Sequence, residues 1–127
     1  EPLLKHQQNR RKKMELDREF VLDSDPRQAV EEMIKITAEL EARIEIESNA
    51  VASNDGTTFT TNEMNKEYVS ELYERAAAEF RTRLAEFKQV DKALLDKLQE
   101  AQESLRQSTE NNLGLLAKMQ DEADPQG

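Results

Sequence analysis

Few side chains in this 127-residue chain are suited to chemistry. Histidine occurs once, as His6, beside Lys5 and close to Arg10, and no acid or nucleophile stands at a spacing that would use it. Cysteine is absent, which excludes a thiolate zinc site, a cysteine nucleophile and a disulfide scaffold. Carboxylates are plentiful. Glu63, Glu67 and Glu71 recur every fourth residue, so a helix would line them along one face. Such a row could hold a cation or pair an acid with a base, but in a chain this rich in Glu it reads as a solvated face. The most suggestive run is Asp55-Gly56-Thr57-Thr58-Phe59-Thr60-Thr61-Asn62-Glu63, which has the outline of the second half of a calcium loop. Gly56 at the sixth loop position would put Val51 first, Ser53 third and Asn62 twelfth, leaving Asp55 as the single carboxylate ligand. A turn followed by a threonine cap is the better reading. Three glycines are too few for a phosphate-cradling loop, and no Gly-x-Ser-x-Gly occurs. The expectation is a chain with no catalytic residue, no cofactor and no metal, and so not an enzyme.

Charge narrows the partners. Lys and Arg number 18 against 27 Asp and Glu, a formal net charge of −9. Nucleic-acid binding needs clustered cations to neutralise phosphates, so no nucleic-acid partner is expected. The one basic cluster is Arg10, Arg11, Lys12 and Lys13. It reads first as a solvated helix face and second as a nuclear-import or acidic-partner patch. No apolar run is long enough to span a membrane, and the start lacks the pattern of a secretion signal. The chain opens Glu1-Pro2 and ends Asp124-Pro125-Gln126-Gly127, which suggests a fragment of a larger protein or a processed one. The expected compartment is intracellular: the cytoplasm first, the nucleus second.

The elements that would carry these residues are helices. Charged residues are 35% of the chain, whereas Gly and Pro number three each, and long helices tolerate those two badly. Three helices are expected, at about 3–22, 26–52 and 62–121. Asp25-Pro26 is a strong start for the second, with an acidic cap followed by proline in the first turn. Its apolar stripe is Val30, Met33, Thr37, Leu40, Ile44, Glu47 and Val51, alternating steps of three and four with Thr37 and Glu47 as polar members. Asn54-Asp55-Gly56 marks a turn, and Thr60 or Thr61 would cap the third helix. That helix carries Val69, Tyr73, Ala76, Phe80, Leu84, Phe87, then after a gap at Asp91 Leu94, Leu98, Ala101 and Leu105. Two successive steps of four, at Ala76, Phe80 and Leu84, form a stutter in the seam. The polar run 107–112 followed by Gly114 predicts a kink or fraying near 107–114.

The expected fold is therefore all-α, a single module over 1–127. It is an elongated antiparallel hairpin or coiled-coil-like bundle of three helices, the third very long. The alternative is a compact three- or four-helix bundle broken near 107–114. A small helical core is marginal alone, so the module should self-associate, pack on partner helices or pack on its parent protein. Leu72, Val90 and Leu95 broaden the long seam, and Leu113 and Leu116 belong to an apolar cluster at 113–119. These are the candidate partner contacts. Tyr73, Phe80 and Phe87 read as core first and as interface anchors second. The function expected is a protein–protein interaction module: a coiled-coil scaffold, adaptor arm or oligomerisation segment. The alternative is a small acidic chaperone or regulator that holds a basic or apolar client.

Overall fold

The computed structural model describes residues 20–123. Four helices follow one another: α1 Pro26–Ala52, α2 Gly56–Thr82, the single-turn α3 Leu84–Phe87, and α4 Lys92–Ala123. No strand occurs among the described residues. The chain is an all-α bundle, as its composition requires. Most of the first expected helix, with its Arg10–Lys13 cluster, lies outside the described residues; its last positions, 20–22, are not helical.

α1 begins and ends where the sequence places it. The Asp25 carboxylate accepts the Gln28 N–H at 3.0 Å, and Pro26 occupies the first turn. Val30, Met33, Thr37, Leu40, Ile44 and Glu47 are all buried along one stripe. At the far end the chain reverses through Ser53, Asn54 and Asp55, with Asn54 in the left-handed region at φ 58°. Asn tolerates that conformation better than other side chains bearing a Cβ. The cap of the next helix is Asp55, which accepts the Thr58 N–H at 3.1 Å, rather than Thr60 or Thr61. The helix starts at Gly56 instead of about 62. The threonines ride in its opening turns, two of them with hydroxyls donated, Thr58 to Asp55 and Thr61 to the Thr57 carbonyl.

The helix expected over 62–121 is two long helices, α2 and α4, joined through the single-turn α3. α2 ends at Thr82, and the chain turns back through α3 and residues 88–91. The break falls between the stutter and the apolar gap at Asp91, not at 107–114. Phe87 folds back to stack on Phe80, ring centroids 4.2 Å apart, and the Arg83 guanidinium lies 5.3 Å from the Phe87 ring centre. Leu84, expected in the seam, is instead 56% exposed. The physical gain is coverage: α1 packs against both α2 and α4, where a two-helix hairpin would bury one face of α1 only. The stutter and the gap are the only local hints of this turn, since 83–91 contains neither Gly nor Pro.

Paired contacts set the directions. The chain reverses at 53–55, and Glu79 and Arg83 at the far end of α2 reach residues 22–24 just ahead of α1, so α2 runs antiparallel to α1. Arg27, Thr37 and Glu47 meet Asp91, Gln102 and Asn112, so α4 runs parallel to α1. The result is an up–down–up three-helix bundle. α4 is unbroken through 107–114 because its polar residues there are contacts, not gaps. Ser108 Oγ donates to Glu41 at 2.9 Å and to Glu45 at 3.2 Å, and Asn112 reaches Glu47 and Ser48. Arg106 also spans Glu103 and Glu110 along the helix.

Candidate functional site

Along the bundle axis, apolar and polar layers alternate. At the end where α1 starts, Leu22, Val30, Met33, Ala76, Phe87 and Leu98 form one apolar cluster. Leu40, Ile44, Val69 and Leu105 form a second, further along. Between them a hydrogen-bonded relay crosses all three long helices. Tyr73 Oη donates to Gln102 Oε1 at 2.7 Å, Gln102 Nε2 donates to Thr37 Oγ1 at 2.8 Å, and Thr37 donates to the Met33 carbonyl at 2.7 Å. Each polar atom in that chain has a partner, so the layer holds the three helices in one register at little desolvation cost.

Beyond the second cluster lies a charged layer. Glu47 of α1 is 2% exposed. Its carboxylate accepts Lys66 Nζ of α2 at 2.8 and 2.9 Å and Asn112 Nδ2 of α4 at 3.0 Å. Asn112 also donates to Ser48 Oγ at 3.1 Å. A carboxylate this deep is tolerable only when paired and hydrogen-bonded, and here each neighbouring helix supplies one donor. Nearby, Asn62 Nδ2 donates to the Arg43 carbonyl at 2.9 Å. Arg43 Nε, Asn62 Oδ1 and Glu63 Oε2 are buried with no hydrogen-bond partner in the protein.

At the end of the bundle where α1 finishes, α4 continues past Ala52. An open cleft of about 550 Å³ lies there, with Val51, Phe59, Leu115 and Met119 as its apolar wall and Asp55, Lys118 and Glu122 among its polar lining. The Asp55 carboxyl on this rim is held below the ordinary carboxylate range, first by the Thr58 hydroxyl and then by the Thr58 N–H. In the cleft wall Met119 is 44% exposed, and Leu113, earlier on α4 and not lining the cleft, is 60% exposed. On the flank of α4, the Glu103 carboxyl is lowered by its bond to Arg106, and the Arg106 guanidinium is raised in turn.

The structure divides the candidate contact residues into two groups. Phe87 is buried, and Tyr73, Phe80, Val90 and Leu95 pack half-buried against the first apolar cluster. Leu72 is half-buried on α2. The other group lies in the second half of α4, outside the cleft lining, with Leu113 exposed and Leu116 half-buried. The Glu63, Glu67, Glu71 row runs along α2 with Glu67 and Glu71 exposed. No group of three or more His, Asp or Glu among the described residues is arranged to hold a metal ion, and no helix among them is long and apolar enough to cross a membrane.

Sequence reasoning passed over Lys66, Gln102 and Asn112. Their signal was indirect: Thr37 and Glu47 stood out as polar members of an apolar stripe, and each such position needs a donor from a neighbouring helix. Compared with known protein families, with curated proteins and with solved structures, the chain matches none.

Proposed function

We propose that this chain is a non-enzymatic protein–protein interaction module, a helical scaffold or adaptor arm that associates with a second copy of itself or with a partner helix through the cleft end of α4. The observation that carries this reading is the open cleft with its apolar wall of Val51, Phe59, Leu115 and Met119, the last 44% exposed. Apolar side chains grouped at one end of a module gain most by being covered. The buried polar groups support it in a second way. Tyr73, Gln102, Thr37, Glu47, Lys66 and Asn112 are consumed by one another. They hold helices together and do not converge on an enclosed space where a substrate would sit.

Sedimentation velocity across a wide concentration range tests the proposal. The wild-type chain is expected to show a rising sedimentation coefficient and intermolecular cross-links from Lys118 at the cleft. The Met119→Asp chain should show neither while keeping its helical circular dichroism. A wild-type chain that stays monomeric throughout, with no intermolecular cross-link at Lys118, overturns it.

A further inference from the structure

Residues 20–25, ahead of α1, are held against the bundle by a set of contacts that reads main chain. The N–H groups of Val21 and Leu22 donate to the two carboxylate oxygens of Glu79, the latter at 2.9 Å. The next N–H, of Asp23, donates to Glu32 Oε1 at 2.6 Å. Arg83 donates from Nη1 to the Asp23 carbonyl at 2.8 Å and from Nη2 to the Ser24 carbonyl at 3.1 Å. One side chain is taken in: Leu22, 5% exposed, joins the first apolar cluster, whereas Phe20 is 61% exposed. Asp23 and Asp25 use their carboxylates on the segment's own backbone and on the start of α1. Two acidic residues thus accept three successive N–H groups, one arginine donates to two carbonyls, and one apolar pocket takes in a leucine.

We propose that Glu79, Glu32, Arg83 and the pocket under Leu22 form a peptide-binding groove, which the chain fills with its own residues 20–25. Its external ligand is a short protein segment of the same chemistry. That segment carries a leucine-sized apolar residue whose own N–H, and those of its two neighbours, are free to donate. Main-chain recognition tolerates most sequences, with the pocket supplying selectivity. Proline is excluded at the three donating positions because it has no N–H. The tethered segment is an intramolecular competitor with an effective concentration on the order of millimolar, so a free ligand gains access when the strap is weakened or outbid. The inference deepens the reading of the chain as an interaction module. It concerns the bundle end opposite Leu113 and Met119, so either can fail while the other stands.

The test uses the full chain and a labelled, end-capped peptide reproducing Phe20–Asp25. In the Leu22→Asp chain the strap loses its plug, and the peptide is expected to bind saturably. Wild type should bind at least about tenfold more weakly, because the tether competes. The peptide with proline in place of Val21 should not bind, nor should the native peptide bind a Leu22→Asp chain that also carries Arg83→Ala. No binding to a Leu22→Asp chain of intact helical content, or equal binding of the proline peptide, overturns the proposal. Should Leu22→Asp unfold the bundle, amide hydrogen exchange on the wild-type chain decides. Saturating peptide is expected to strip protection from Val21, Leu22 and Asp23 while α1 stays protected, and unchanged protection there overturns the proposal.

Discussion

Removing one partner of the buried Glu47–Lys66 pair should cost very different amounts depending on which partner goes. Lys66 is 25% exposed and Glu47 2%. In Glu47→Leu the ammonium keeps a path to water, since a lysine stem can lie along apolar surface with its head outside. Asn112 loses one acceptor but keeps Ser48 Oγ at 3.1 Å, and the new leucine adds apolar burial. The net loss should be about 1 kcal/mol, the scale of one ordinary hydrogen bond. In Lys66→Met the carboxylate stays buried with Asn112 as its remaining donor among the contacts described. An uncompensated buried charge costs about 3–5 kcal/mol. Against a total stability of roughly 5–15 kcal/mol for a domain of this size, that is a large fraction. The double variant Glu47→Leu/Lys66→Met should lose only about 1 kcal/mol, giving a coupling energy of about 3–5 kcal/mol between the sites. Urea denaturation followed by circular dichroism measures all four corners of the cycle, with the midpoints compared at constant slope. Equal losses in the two single variants, or a larger loss for Glu47→Leu, would refute the reasoning that depth of burial sets the asymmetry.

Other outcomes follow from the fold. Phe87→Ala empties a buried site stacked on Phe80 and should cost about 3–5 kcal/mol, whereas Leu84→Asp on the exposed turn should stay within about 0.5 kcal/mol of wild type; the same urea titration separates them, and a reversed order would restore the continuous helix. Asn54, at φ 58°, should accept glycine with no loss and lose about 1 kcal/mol as alanine, read from the shift in melting temperature. Asp55 has a lowered pKa through Thr58, so its stabilising contribution is full above the unfolded carboxylate value near about 4 and is lost as pH falls through the lower folded value. The gap in melting temperature between wild type and Asp55→Ala should be open at neutral pH and close at about pH 2, and an unchanged gap would remove the cap from that role.

Legibility of the fold varied by element for definite reasons. α1 was readable to the residue because its signals are local and agree. Asp25 and Pro26 favour a helix start, the stripe from Val30 to Glu47 keeps one period, and Asn54 permits the reversal after Ala52. The start of α2 was misplaced because four threonines outweighed Asp55, although a single good cap with the threonine hydroxyls bonded back suffices. The turn at 83–91 was visible as a stutter and a gap, yet both also fit a helix that merely changes its supercoil. The candidate contacts separated in the same way. Tyr73, Phe80 and Phe87 show aromatic spacing in the sequence, but whether such residues face a core or a partner depends on where α4 lies.

Sequence alone determined that the chain is helical and acidic, because these follow from composition and from periods that neighbours in the chain enforce. Tertiary structure decided that α4 returns parallel to α1 and that 107–114 continues as helix. It also decided that Glu47 finds Lys66 and Asn112, and that Leu22 plugs the bundle's first layer. The physical reason is that covering the second face of α1 outweighs the local preference of 83–91 to remain helical. That gain arises between residues far apart in the chain, where no local pattern registers it.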